Sequence, residues 1–229
     1  MRFTRATIAA AVAVLLLVPF ALLAVLVIGN VDWLHSLDLR VTDRLHGFAV
    51  GHPGWVWFEN WWSLVFHPNT WRVAAAGLAL WLVRRGDRAL AWWVVVTMTA
   101  GGLLGVLLKL LVGRHRPDLL DPVARAAGYS FPSGHALTNA LGAAVFLIVL
   151  IPHTRRKGAR LALWVLAVVI PVITAVCRVA LGVHWTSDVV AGLILGVAVP
   201  AVTAFAFLSF ASRRAARREM LRMETDRIG

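Results

Sequence analysis

Three short clusters hold most of the residues in this chain that could do chemistry. The first is Lys109-Leu-Leu-Val-Gly-Arg-His-Arg116-Pro117. Lys109 and Arg116 are seven residues apart, close to two helical turns, so one face could carry both cations. A Lys inside an apolar helix is costly and usually functional, although a snorkelling Lys with a basic loop has the same letters. The second cluster is Pro132-Ser133-Gly134-His135. Ser133 suits a helix start, and Gly134 lets the backbone come close to a ligand. The free N–H groups of a helix start favour an anion, which His135 could then reach. By themselves these four residues are also ordinary turn chemistry. The third is Cys177-Arg178, then His184 and Asp188. His184 and Asp188 are four apart and share a face at a helix start. A carboxylate holding one imidazole nitrogen leaves the other reactive. Arg178 brings a planar fork suited to phosphate. A lone His–Asp pair would more often be a structural hydrogen bond.

Taken together, the clusters supply the cations Lys109, Arg116 and Arg178, the histidines His135 and His184, the carboxylate Asp188 and a helix N-terminus. Nucleophilic phosphoryl transfer needs that set: neutralised phosphoryl oxygens, a nucleophile and a proton donor. There is no acidic cluster of the kind that holds Mg²⁺ and no His-rich metal set. The expectation is therefore no metal and no cofactor, with the cations in the metal's role.

The elements that must position these residues are apolar. Of 229 residues, 60% are hydrophobic and 15% charged, against roughly 45–50% and about 25% in soluble domains. The expected spans are Ala6 to Gly29, about Trp71 to Val83, Ala89 to Val112, Gly134 to Ile151, Leu161 to Leu181 and about Asp188 to Phe210. The first run is too long for a cleaved signal and lacks a clean small-residue cleavage pattern, so it is read as a retained span. The second span is short, so either part of the preceding aromatic stretch Trp55 to Phe66 helps to complete it or Pro68 breaks it. Val31 to Val50 reads as an amphipathic helix lying in the interface, or as a solvated connector. Its apolar stripe is Leu34, Leu37, Val41, Leu45 and Phe48.

Net charge is +12, yet the basic residues sit at the ends of apolar runs and not in a stripe with aromatics, which argues against nucleic-acid binding. Arg2 and Arg5, Arg84 to Arg88, Arg155 to Arg160 and Arg213 to Arg218 fall on one side of a six-span layout. By the positive-inside rule that side is the cytoplasm, and both termini lie there. Loops 30–70, 113–133 and 182–187 then face outward with all three clusters. Lys109, Arg114, Arg116 and Arg125 break the rule in or beside loop 113–133, and anion binding explains them best. Arg114 is also placed to meet a second phosphate. Cys177, the one cysteine, forms no internal disulfide and reads as a packing residue.

Lys109-x6-Arg116-Pro117, Pro132-Ser-Gly-His135 and Arg178-x5-His184-x3-Asp188, in this order, resemble the type 2 phosphatidic acid phosphatase (PAP2) family, in its bacterial membrane lipid phosphatase branch. That superfamily also includes vanadium haloperoxidases and glucose-6-phosphatase-like enzymes. The motifs span about 80 residues. The resemblance implies that His184 attacks phosphorus and forms a phosphohistidine, that Asp188 orients it, and that His135 protonates the leaving oxygen and then activates water. Lys109, Arg116, Arg178, Ser133 and the Gly134 N–H would hold the phosphoryl oxygens. One position departs from the family: Cys177 stands where a Ser is common, which would weaken one phosphate contact.

The expected architecture is an all-α, polytopic membrane protein with six transmembrane helices and an outward-facing active site. Residues 1–212 form the membrane domain and 213–229 a charged cytoplasmic tail. The expected function is metal-independent hydrolysis of a lipid phosphate or diphosphate at the outer leaflet of the cell membrane, with undecaprenyl diphosphate, phosphatidic acid and phosphatidylglycerol phosphate as candidate substrates. The competing class is an anion-binding transporter, but no repeat matches the broken second span. A small chain without a large soluble domain argues against peroxidase chemistry. Oligomeric state is not legible.

Overall fold

The computed structural model describes residues 5–119 and 123–228; Arg2 and residues 120–122 of loop 113–133 lie outside them. Regular structure among the described residues is entirely helical. The helices are α1 (Arg5–Ile28), α2 (Asp32–Val50), α3 (Pro53–Val65), α4 (Pro68–Arg84), α5 (Arg88–Val112), α6 (Gly134–Leu150), α7 (Lys157–Ala180) and α8 (Thr186–Ile228), with a short 3₁₀ turn at Ile151–His153. Helices α1, α5, α6 with its 3₁₀ turn, α7 and the Thr186–Arg214 part of α8 are long and apolar enough to cross a bilayer. The chain is a multi-pass membrane protein.

The expected second span forms α4. Pro68 opens this helix and does not break it: proline fits the first turn, where its missing N–H costs nothing, and His67 Nδ1 accepts from Asn69 N at 3.2 Å. Its 17 residues rise about 25 Å, less than the helices long enough to cross a bilayer. Beyond the apolar part, α8 runs unbroken to Ile228.

Helix α2 forms where expected, and its inward face is mixed. Its buried residues are Leu34, Asp38, Thr42, His46 and Ala49, whereas Leu37 and Phe48 of the expected apolar stripe are exposed. Val41 and Leu45 pack against Ala136, Ala175, Val179 and Val189, while Arg40, Asp43 and Arg44 are exposed. In helix α3, Trp57, Trp61 and Leu64 are exposed, and the one buried residue is Glu59.

Helix α6 is the centre of the bundle, with Leu137, Leu141, Val145 and Val149 in a core shared with α4, α5 and α8. It lies very close to α8. A Cβ on Gly192 would stand 2.7 Å from the Ser133 carbonyl oxygen, and one on Gly196 would stand 2.5 Å from that of Leu137. Only bare backbone permits this approach, as in small-xxx-small contacts between membrane helices. Polar pins fix the other neighbours. Asn139, fully buried on α6, accepts from Trp71 Nε1 and donates to the carbonyls of Phe66 and His135, each at 2.9 Å. The α3–α4 junction is thereby held beside the start of α6. Thr97 and Thr203 join α5 to α8 at 2.8 Å.

Candidate active site

Four chain segments meet at one end of the bundle. Helix α5 delivers Lys109 in its last turn and stops at Gly113, whose left-handed φ of 63° lets its N–H bond back to the Lys109 carbonyl at 3.0 Å. The following loop is pinned to itself and to the bundle. Ser130 N donates to Arg114 O at 2.8 Å, and Ser130 Oγ reaches the carbonyls of Arg114 and His115. Fully buried Phe131 packs against Phe20, Val27, Leu34 and Ala191.

Ser133 occupies the N-cap position of α6, and its N–H donates to the Asp188 carbonyl at 3.0 Å. Its hydroxyl is buried but caps nothing and has no hydrogen-bond partner. Gly134 leaves its backbone bare beside Lys109: an added Cβ would be 3.9 Å from the Lys109 Cε. His135 follows, half-buried, with its ring edge-on to His67 at 5.3 Å between centroids.

Helix α7 ends just after Arg178, which is buried and whose Nε has no partner. The turn into α8 requires a φ of 70° at Gly182, in the region where side chains are strained. That turn presents His184. The His184 ring is 2% exposed, with Nδ1 3.4 Å from Asp188 Oδ2 and Nε2 3.1 Å from Arg116 Nη1. Asp188 Oδ2 also accepts the Trp185 N–H at 3.0 Å, and Asp188 Oδ1 accepts from Arg114 Nη1 at 2.7 Å. With Nδ1–H given to the carboxylate, the His184 lone pair is on Nε2, the nitrogen facing the cations. Burial pulls the His184 imidazole down to about 4, outweighing the Asp188 carboxylate, which acts in the opposite sense. His184 is therefore neutral near pH 7 and keeps that lone pair.

The cations converge on the same space. Arg178 lies within electrostatic range of Lys109, His135 and His184. Lys109 Nζ donates to Tyr129 O at 2.6 Å. Arg116 uses its whole fork: Nε to Gly128 O, Nη1 to Val183 O and His184 Nε2, and Nη2 to the carbonyls of Ala127 and Tyr129. Burial lowers the Arg116 guanidinium from its ordinary value, and Asp188 opposes that effect.

The structure thus gathers Lys109, Arg116, Ser133, Gly134, His135, Arg178, His184 and Asp188 around one space. Cys177, next to Arg178, is fully buried. Arg114 is not free for a second phosphate, because its guanidinium lies between Asp188 and Asp38. The spacing of residues in the sequence does not point to Asp38, Ser187 or His67 as neighbours of the site. The one signal was an acid on α2 three and four residues from apolar neighbours, which is equally the signature of a solvated charge.

The PAP2 superfamily model matches residues 90–218. The undecaprenyl-diphosphatase of Sulfolobus acidocaldarius is 33% identical over 125 residues, covering 52% of this chain and 55% of that protein. Phosphatidylglycerophosphatase B of Bacillus subtilis is 32% identical over 137 residues, covering 59% and 58%. The chain therefore spans little more than half the length of these curated relatives. The crystal structure of a transmembrane PAP2 type phosphatidylglycerolphosphate phosphatase from Bacillus subtilis superposes with a TM-score of 0.74 at 23% identity, covering 88% of this chain and 96% of that one, a likeness of fold. All three motif clusters, from Lys109 to Asp188, lie inside the matched segment, and the chain belongs to the PAP2 superfamily.

Proposed function

We propose that this protein is a membrane lipid phosphatase that hydrolyses a lipid phosphate or diphosphate through a phosphohistidine on His184. One observation carries the reading. His184 Nε2 is held toward a group of cations where two buried polar groups, the Ser133 hydroxyl and Arg178 Nε, lack a protein partner. Buried polar groups are almost always satisfied, so a pair left open beside a nucleophile suits an anionic ligand. The relatives named as phosphatases of lipid substrates support the same class.

In the proposed chemistry each of these residues has a role. His184 Nε2 attacks phosphorus, and the bond from phosphorus to the leaving oxygen breaks. His135 gives that oxygen a proton. Lys109, Arg116, Arg178, Ser133 Oγ and the Gly134 N–H hold the phosphoryl oxygens, exchanging their present carbonyl partners for them. His135, now basic, takes a proton from water, which attacks phosphorus and releases His184. Asp188 keeps the imidazole oriented and stabilises its charge while phosphorylated. The three cations neutralise the phosphoryl group, so this reading needs no metal.

Six crossings, with α4 the short one, put both termini in the cytoplasm and the site at the outer leaflet. The supports are the basic residues between α4 and α5 and between α6 and α7. Residues 1–212 then form the membrane domain and 213–229 a charged tail. Short outer loops leave specificity to the phosphate pocket and the gaps between helices, which suits a substrate arriving sideways from the bilayer. The candidate substrates are undecaprenyl diphosphate, phosphatidic acid and phosphatidylglycerol phosphate. The test is phosphate release by purified protein in mixed micelles from undecaprenyl diphosphate, phosphatidic acid and a soluble phosphate ester, with EDTA and with His184→Ala as controls. Turnover of lipids above the soluble ester, resistance to EDTA and loss in His184→Ala are expected. Preference for the soluble ester would overturn the lipid assignment, and a strict divalent-cation requirement would overturn the mechanism.

A further inference from the structure

We infer that Asp38, on α2, is a positioning residue for Asp188, acting through Arg114; this rests on the proposed role of the His184–Asp188 pair. Asp38 is 1% exposed and accepts from three donors. Its Oδ1 takes the Ser187 N–H at 2.8 Å, and its Oδ2 takes the Ser187 hydroxyl and Arg114 Nη2, the latter at 2.7 Å. Arg114 Nη1 donates to Ser187 Oγ and to Asp188 Oδ1, both at 2.7 Å. One guanidinium fork therefore lies between two carboxylates, one on α2 and one on α8. The fork also lies over the Trp185 ring, 5.5 Å from its centroid.

This arrangement leaves Asp188 no freedom to turn. Oδ1 is fixed by Arg114, so Oδ2 must face the His184 Nδ1 and the Trp185 N–H. It also divides the charge of Arg114. A guanidinium paired with Asp188 alone would draw most of that carboxylate's negative charge, and the bond to His184 Nδ1–H would weaken. Shared with Asp38, Arg114 orients Asp188 while leaving it a strong acceptor. Helix α2, which lies outside the family-matched residues 90–218, thereby contributes to the geometry of the nucleophile.

The test uses the purified full chain with Asp38→Asn, Asp38→Glu, Arg114→Ala and the Asp38→Asn/Arg114→Ala double variant. Kinetics on the lipid substrate are normalised to active sites counted by trapped phosphoenzyme. Asp38→Asn is expected to lower kcat per site about 10- to 100-fold with KM little changed, and Asp38→Glu to recover part of it. The double variant should be no worse than Arg114→Ala alone, because Asp38 acts through Arg114. A normal kcat per site in Asp38→Asn, or full additivity in the double variant, would overturn the inference. Should Asp38→Asn not fold, Arg114→Lys, which keeps the charge but loses the fork, is read against the same two outcomes. His184→Ala separates the two levels: turnover surviving there removes the nucleophile assignment itself.

Discussion

Arg116 Nη1 stands 3.1 Å from His184 Nε2, so a guanidinium N–H occupies the line along which the nucleophile would meet phosphorus. The contact is favourable only while the imidazole is neutral, since an imidazolium would present a second N–H and a like charge.

The pH dependence of the first chemical step follows. A neutral His184 is the nucleophile, and burial sets its pKa at about 4. Phosphoenzyme formation should therefore persist through pH 5 and fall only as the pH drops toward 4. Rapid mixing with radiolabelled lipid phosphate and an alkaline quench, which spares phosphohistidine, measures this. A loss centred near the ordinary imidazole value of about 6.5 would mean that burial does not govern His184.

His135 is expected to act on the leaving group and on water. Its replacement by Ala should slow both steps, by about 10²–10⁴-fold for an unactivated leaving oxygen. With a good leaving group such as a p-nitrophenyl phosphate ester, phosphoenzyme should still form in His135→Ala and then persist, because the base that activates water is gone. Equal impairment on good and poor leaving groups in phosphoenzyme formation would argue against general-acid catalysis.

The α6–α8 contact offers a way to separate packing from chemistry. Gly192 abuts Ser133 itself, while Gly196 abuts Leu137 one turn further from the site. Overpacking at such a contact costs about 1–3 kcal/mol. Gly196→Ala should lower the thermal midpoint in detergent while leaving kcat per folded site within a few-fold. Gly192→Ala should do both, since moving Ser133 disturbs the phosphate pocket. Matched kinetic losses in the two variants would show that the site does not depend on this register.

Topology can be read with reporter fusions. A reporter joined after Gly128, in the loop whose carbonyls hold Lys109 and Arg116, should be exported. One joined after Gly158, at the start of α7, should stay in the cytoplasm. The reverse pattern would place the site on the inner face.

Much of this molecule was determined by sequence alone. Long apolar runs leave a helix as the only way to satisfy the backbone in lipid, so α1, α5, α6, α7 and the apolar part of α8 follow from composition. The spacing of His184 and Asp188 is local and carries its chemistry with it, but that of Lys109 and Arg116 does not put them on one helix face, because α5 ends at Val112 and Arg116 lies in the loop beyond. The tertiary structure decided what depends on distant partners. Asp38 meets Arg114 76 residues away and Ser187 149 residues away, and no periodicity records such a pairing. At α2, periodicity marks the Leu34-to-Phe48 stripe but not what it meets: Leu34, Val41 and Leu45 pack inside, while Leu37 and Phe48 are exposed. In water an apolar face turns inward. In a bilayer, lipid takes apolar side chains such as Leu37 and Phe48, and the helix turns Asp38 and His46 inward, where Arg114, Ser187 and the Ala180 carbonyl replace the water they have lost.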